Sequence, residues 1–400
     1  MALAAQTSNS SQQLQQLIDA EAAAKQSGDA SQVFATSQKL IRLAAAEIKA
    51  TRTALKQPHL TPVRTQRLRK REQQLREVLG DGYNDCGTAE ARQQQYEHAL
   101  LDFQRAEKWN PATPGLPRNL GTAAFRLERY PEAVHALTSV VAQAPNDQRS
   151  RLMLAMSLFS MERFADAAQN FAPIGDLTMQ DPRTAYAWAY SLAHVNQLQH
   201  TNEIADNLSN LDLPPDIHIL VCKLYTTTEN YEHALSCLKN ISAQFPKMTD
   251  VHYETGATLV HMGRSAEAIP ELRAELTLDP QDIDAKYYLA YALLETSHRD
   301  EGIQVLEAVI AEQPKYSLAQ YQLGKALLEE GKITQAVPHL EIAVKLNPSA
   351  DFMHYQMQMA YRRAGRSEDA NRELELYKQL KASHRDTGGA HETTATTNGP

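Results

Sequence analysis

The chain has 400 residues, 42% of them hydrophobic, with only 16 Gly and 18 Pro and a formal net charge of −8. That is enough apolar material for real cores and too little Gly and Pro for a long disordered chain. The acidic balance speaks against a duplex nucleic-acid surface over most of the length, and no apolar run of the ~18 residues a membrane helix needs is present.

The start, MALAAQTSNSS, lacks the basic and apolar regions of a signal peptide, so a cytoplasmic location is the default expectation. Ala2-Leu3-Ala4-Ala5-Gln6 has the small-residue look of a cleavage site, and a mis-called start would turn that expectation to periplasmic or secreted. Residues 1–12 are expected to be disordered. Residues 13–79 read as a helical N-terminal cap. It holds two helices joined at Ser27-Gly28-Asp29, a break at Pro58 and Pro62, and a third helix from TPVRTQRLRKREQQLREVL. This segment is a different kind of surface: residues 1–79 hold twelve Lys/Arg against six Asp/Glu, leaving −14 for residues 80–400. On the third helix Arg64, Arg67, Arg69, Lys70, Arg71 and Arg76 face Glu72 and Glu77. At helical spacing they spread round the axis, which reads as a solvated helix, with a nucleic-acid or membrane contact as the alternative.

Beyond residue 79 the chain repeats. Pro246, Pro280, Pro314 and Pro348 are each 34 apart, as are Pro111 and Pro145; between them the phase loosens, with Pro182 37 after Pro145 and then Pro214 and Pro246 at steps of 32. Each unit reads as two helices, A and B. In residues 317–350, Leu323-Gly324 and Leu327 mark helix A, Gly331 ends it, and Ala336, Leu340 and Ala343 mark helix B before Pro348. The same slots hold Gly256, Leu259, Gly263, Ala268, Leu272 and Pro280 in one unit. In two others they hold Leu120-Gly121, Tyr130, Ala133, Leu137, Val140 and Pro145, and Gly87, Tyr96, Ala99, Phe103, Ala106 and Pro111.

This pattern resembles the tetratricopeptide repeat over about three quarters of the chain. The resemblance implies an all-α, right-handed α-solenoid (a superhelix) of about nine helix–turn–helix units over residues 80–384, starting near 80, 114, 148, 182, 215, 249, 283, 317 and 351. The helical N-terminal cap would cover its first apolar face. Gly324 is expected where its own helix B crosses, near Ala336. Two units depart from the pattern: Pro173 and Gly175 shorten helix B in 148–181, and Thr201 takes the small slot in 182–214. A kink near 172–182 and weak stacking over 148–214 are the expectation. The low-complexity tail, residues 385–400, is expected to be disordered.

The resemblance also implies that A helices line an inner, concave wall. Tyr253, Tyr287, Tyr321 and Tyr355 are 34 apart there, Tyr186 takes the same slot in 182–214, and Tyr190 and Tyr291 lie one turn further on. In DAKYYLAYALLE, Tyr287 and Tyr291 sit roughly 120° from the stripe of Leu289 and Leu293. These seven tyrosines, with neighbouring Lys325, are the candidate partner-binding residues, their hydroxyls expected to stay solvated. The other reading of the ladder is packing against the neighbouring helix alone. Asn84 stands where the chaperone-tail clamp of some family members has its first Lys, so that clamp is not supported.

No HExxH, G-x-G-x-x-G, P-loop or G-x-S-x-G occurs, and the 14 histidines are scattered, so neither an enzyme nor a cofactor nor a metal is expected. Cys86, Cys222 and Cys237 form no CxxC and read as buried small hydrophobes in a reducing compartment. The expected function is a non-enzymatic scaffold or adaptor that binds peptide segments or partner proteins in the groove. The alternative is a nucleic-acid- or envelope-associated regulator using the basic helix 62–79.

Overall fold

A computed structural model of the chain describes the backbone of residues 2–386 and the side chains of residues 12–383. The tail expected to be disordered lies, beyond Asp386, outside the described residues. All regular structure among the described residues is helical, and it falls into two compact units, Met1–Val195 and Asn196–Pro400.

The first unit holds α1 (Ala2–Ser27), α2 (Ala30–Leu55), α3 (Pro62–Arg92), α4 (Tyr96–Trp109), α5 (Leu116–Arg126), α6 (Tyr130–Gln143), α7 (Gln148–Ser160), α8 (Phe164–Phe171), α9 (Gly175–Thr178) and α10 (Pro182–His194). Gly28, at φ 74, turns α1 back onto α2, whose first N–H groups are capped by Asp29. Thr61 caps α3 and Pro62 opens it, where a missing N–H costs nothing. Two expectations change here. Residues 2–12, expected to be disordered, belong to α1. The cap and the first repeat, divided at 79/80 on sequence grounds, share one unbroken helix, α3. The reason is in its packing. Leu75 and Leu79 join Leu14, Leu40, Ala44 and Ile48 in one core. The next turns carry Gly80 and Gly87, where an added Cβ would meet Asn110 at 2.6 Å and Phe103 at 2.7 Å. These glycines serve close approach, so the helix has no cause to stop.

The second unit holds α11 (Leu198–Ser209), α12 (Pro215–Thr227), α13 (Tyr231–Gln244), α14 (Val251–His261), α15 (Ser265–Leu278), α16 (Ile283–Glu295), α17 (Arg299–Glu312), α18 (Ser317–Glu329), α19 (Ile333–Leu346), α20 (Asp351–Arg363) and α21 (Ser367–Asp386). In both units the A–B crossing rests on the expected small slot. A Cβ on Gly324 would lie 2.6 Å from Leu340 Cγ and 3.2 Å from Ala336 O; on Gly121 it would lie 2.5 Å from Leu137 Cγ. In residues 283–316 the roles are exchanged, with Ala290 on helix A and Gly302 on helix B.

Other features recur in phase. The A–B turn places one residue in the left-handed region: Gln94, Glu128, Glu162, Asn196, Glu229, Gly263, Gly331 and Gly365. The turn after α16 departs, with Thr296 extended instead. Where many repeats would bury an aromatic ring early in helix A, several here place a polar group against the preceding proline carbonyl. Arg151 reaches Pro145 O at 3.1 Å, Gln320 reaches Pro314 O at 3.0 Å, and His354 Nε2 lies 2.9 Å from Pro348 O.

The irregular stretch is as irregular as its sequence. After α8 the chain runs through a 3-10 turn, Ala172–Ile174, and the single-turn α9, with Pro173 and Gly175 at the changes. Thr201 is buried in an unbroken α11, and its hydroxyl donates to Gln197 O at 3.1 Å. The cysteines differ from expectation. Cys222 on α12 and Cys237 on α13 are joined by a disulfide, their Cα atoms 5.6 Å apart, and only Cys86 is a free, buried thiol. The close A–B crossing brings two slots together that lie 15 residues apart in sequence.

Candidate functional site

The A helices of the second unit, α12, α14, α16, α18 and α20, succeed one another side by side. Their common face carries the 34-residue tyrosine phase, and the structure treats its members differently.

Tyr287 is 6% exposed, so it is a core residue rather than a groove residue. Its ring stacks on Tyr316 at 5.3 Å and meets Tyr288 edge-on at 5.5 Å. Its hydroxyl is hydrogen-bonded to Gln322. The expectation of a solvated hydroxyl fails here because Tyr316, at the N-cap position of α18, covers it; Tyr316 in turn donates to Asp284 Oδ1 at 2.6 Å. Tyr253 is half-buried and packs edge-on against Tyr288 at 5.7 Å. Tyr288 also meets His261, with Oη 3.3 Å from Nε2. Burial holds the His261 imidazole below its ordinary range.

Tyr291, Tyr321, Tyr355 and Lys325 are more open. Tyr291 and Glu295 line a cleft of about 250 Å³ with Val260, Gly263, Ser265, Ala266 and Thr296. Tyr321 packs edge-on against Phe352 at 5.1 Å, and no side chain among the described residues holds the hydroxyls of Tyr291 or Tyr321. Tyr355 is 46% exposed, its ring 5.3 Å from Tyr377. Lys325 is partly exposed and unpaired among the described residues. Burial pushes the phenol of Tyr321 up to about 12; for Tyr288 burial and the charges of Glu254 and Asp284 do the same. The phenols of Tyr288, Tyr291 and Tyr321 are therefore neutral near pH 7 and able to donate.

The charges between them are mostly spent. The Lys223 ammonium lies 2.7 Å from Glu254, tying α12 to α14, while burial raises the Glu254 carboxyl above its ordinary range. Glu275, wholly buried on α15, sits in a slot held by Ala106 and Ala343 in other units. It accepts the backbone N–H groups of Asp250 at 3.0 Å and Tyr253 at 3.1 Å, a cap for α14 supplied from a neighbouring helix. Asp250, Glu275 and Asp282 are close enough to suggest a cation, but this capping duty already occupies Glu275.

In the first unit Tyr186 and Tyr190 are half-buried and packed among other rings. They join Phe159, Phe164 and His194 in a ring cluster, with Tyr186–Tyr190 at 5.7 Å, Phe159–Tyr190 at 5.9 Å and Tyr190–His194 at 4.4 Å. Asn84 also has a structural partner. It accepts from Asn119 Nδ2 at 2.9 Å, and Thr88 Oγ1 lies 3.3 Å from the same nitrogen. Sequence reasoning missed Tyr288, Tyr316 and Phe352. The slot next to the ladder, and the residue just before each helix A, would have found them.

Family models described as tetratricopeptide repeat match residues 118–173, 224–283, 259–327 and 318–349. Among curated proteins, the chain is 24% identical over 206 residues to the peroxisomal targeting signal receptor of Saccharomyces cerevisiae, matching 48% of this chain and 33% of that protein. The chain thus spans about a third of the length of that relative. Among solved structures, MamA from Desulfovibrio magneticus RS-1 is similar at 22% identity with a TM-score of 0.38, covering 42% of this chain and 96% of that one. YrrB, titled a TPR protein with an unusual peptide-binding site, is similar at 18% identity with a TM-score of 0.35, covering 46% and 93%. With the helix pairs, the small-residue crossings and the 34-residue phase, the family-model matches identify the chain as a tetratricopeptide repeat protein.

Proposed function

We propose that the chain is a non-enzymatic interaction scaffold that binds an extended segment of a partner protein along the A-helix face of its second unit. Tyr253, Tyr288, Tyr291 and Tyr321 would make the contact, with Lys325 and Tyr355 at one end and Tyr287 and Tyr316 as the support beneath. The observation that carries this reading is the open cleft at Tyr291, flanked by phenols that are neutral, rigidly packed and partly wet. Such rings offer apolar area at small entropic cost, and their hydroxyls donate to peptide carbonyls without demanding one sequence. The yeast relative is named a receptor, which agrees with a recognition role. Tyr186 and Tyr190 belong in this reading to packing of the first unit.

The test is capture of a partner with the full chain, then titration against the Tyr291→Ala/Tyr321→Ala variant. Loss of about 2 kcal/mol or more, roughly thirtyfold in affinity, is expected of central tyrosines. Unchanged affinity in a folded variant would leave the ladder as packing alone.

The Cys222–Cys237 disulfide supports placing the protein in an oxidising compartment, against the default of a reducing cytoplasm. Thiol labelling of the denatured protein from its native host should find one reactive cysteine, Cys86. Three would return it to a reducing compartment.

A further inference from the structure

Residues 48–71 hold eight Lys/Arg and not one Asp or Glu. The fold gathers them at the end of the α2–α3 hairpin. At the base of this stretch the cations are spoken for. Arg52 Nε lies 2.6 Å from Glu72, Arg71 pairs with Glu47, and Arg76 Nε donates to Trp109 O at 3.1 Å. Past that level Lys56, Arg64, Arg67, Arg69 and Lys70 are exposed, and none has an ion-pair partner among the described residues. At the apex Val63 is 61% exposed, beside half-buried Leu60.

The placement of these charges selects among anionic partners. At about 100° per residue, Arg64, Arg67, Arg69 and Lys70 point to all sides of α3, and Lys56 adds the end of α2. A duplex lying along the helix would meet only some of them; a flat sheet of negative charge met end-on is within reach of all. The stretch has no Phe, Tyr or Trp on which a nucleobase would stack. Just inside α3, next to the connection, it carries instead an exposed valine, suited to the headgroup–acyl boundary of a bilayer. We propose that the end of the α2–α3 hairpin docks on anionic lipid headgroups at a membrane surface. No helix among the described residues is long and apolar enough to cross a membrane, so this contact is peripheral. It lies in the first unit and does not depend on the tyrosine face of the second.

The test is sedimentation of the full chain with vesicles of phosphatidylcholine alone and of phosphatidylcholine with phosphatidylglycerol, at low and high salt. Binding is expected only to the anionic vesicles and should fall steeply with salt. Replacing Arg64, Arg67, Arg69 and Lys70 together by Gln should lower partitioning by at least about a hundredfold without moving the thermal melt, since no partner is orphaned. Val63→Ser should lower it about severalfold. Equal binding to neutral vesicles, or no binding to anionic ones, would overturn the proposal. So would tighter binding to duplex RNA that Val63→Ser leaves unchanged.

Discussion

The two units repeat the same helix pair and bury different chemistry. The first encloses carboxylates: Glu21, Asp85, Glu90 and Asp102 are all raised above their ordinary range, in each case chiefly by burial, as is more exposed Asp81. Lys25 answers them with ion pairs to Glu21 and Asp85. The second encloses phenols. Eleven of the 16 tyrosines follow residue 195, and burial is the largest cause of the rise for Tyr225, Tyr287, Tyr288, Tyr316 and Tyr321. A repeat framework fixes where small residues and leucines must sit; what fills the remaining half-buried slots is open to choice, and that choice sets how each unit responds to solvent.

The largest expected effect separates the units by pH. A phenol raised in the folded state contributes stability that is fully present below its unfolded pKa of about 10 and is lost as pH rises toward the folded value. By about pH 11 each such ring costs the folded state roughly 1.4 kcal/mol, so the second unit should lose on the order of 5 kcal/mol or more. Both tryptophans, Trp109 and Trp188, belong to the first unit. Phenolate absorbance should therefore show a cooperative alkaline transition before tryptophan fluorescence responds. Coincident transitions would mean that the units do not melt separately. The raised carboxylates, five in the first unit against Glu254 and Asp282 in the second among the described residues, give the first the steeper complementary slope. Their contribution is present below about pH 4 and declines as pH rises through their folded values, so this unit should gain stability on mild acidification.

The disulfide sharpens the comparison next. Cys222–Cys237 closes a short loop in the second unit, and its reduction, or the Cys222→Ser/Cys237→Ser variant, should cost about 2–4 kcal/mol. The denaturation midpoint read by tryptophan fluorescence should not move. A shift there would show that the first unit leans on the second.

The crossings test what the units share. Gly121→Leu and Gly324→Leu each drive a side chain into a leucine of helix B and should cost roughly 1–3 kcal/mol apiece. Similar losses in both would support one packing rule for the two units. No loss at Gly324 would contradict the assigned phase.

What was legible in the sequence was what repeats. Gly324 against Leu340, Gly121 against Leu137 and the broken helix after Phe171 all follow from residues that recur, or fail to recur, at 34. What was not legible depends on contacts between slots. Cys222 and Cys237 stand on successive helices, 15 residues apart, and meet only because those helices cross closely. Tyr287 looked solvated because the residue that covers it, Tyr316, lies outside the helix that was read. Glu275 caps a helix from its neighbour, and no local pattern announces that. The 79/80 division came from the 34-residue phase, which marks where a repeat begins but not where the preceding helix ends, and α3 runs through it.

The smallest expected effect concerns the A–B turn, where the phase is visible in backbone rather than side chains. The same left-handed position is filled by Gly263, Gly331 and Gly365 in later repeats of the second unit, but by Asn196 and Glu229 at its start and by Glu128 and Glu162 in the first, at φ 58 in all three glutamates. A side chain with a Cβ is strained there, and glycine is not. Against this, glycine loses more freedom on folding, which returns part of the gain. Glu128→Gly and Glu162→Gly should each therefore stabilise the first unit by only about 0.5–1 kcal/mol, and Gly331→Glu should destabilise the second by a similar amount. Neither glutamate carries an ion pair among the described residues, so either reports the turn itself. Chemical denaturation of Glu162→Gly followed by tryptophan fluorescence is the measurement. A lower midpoint would mean that the glutamate side chain holds that turn by a contact worth more than the strain it causes.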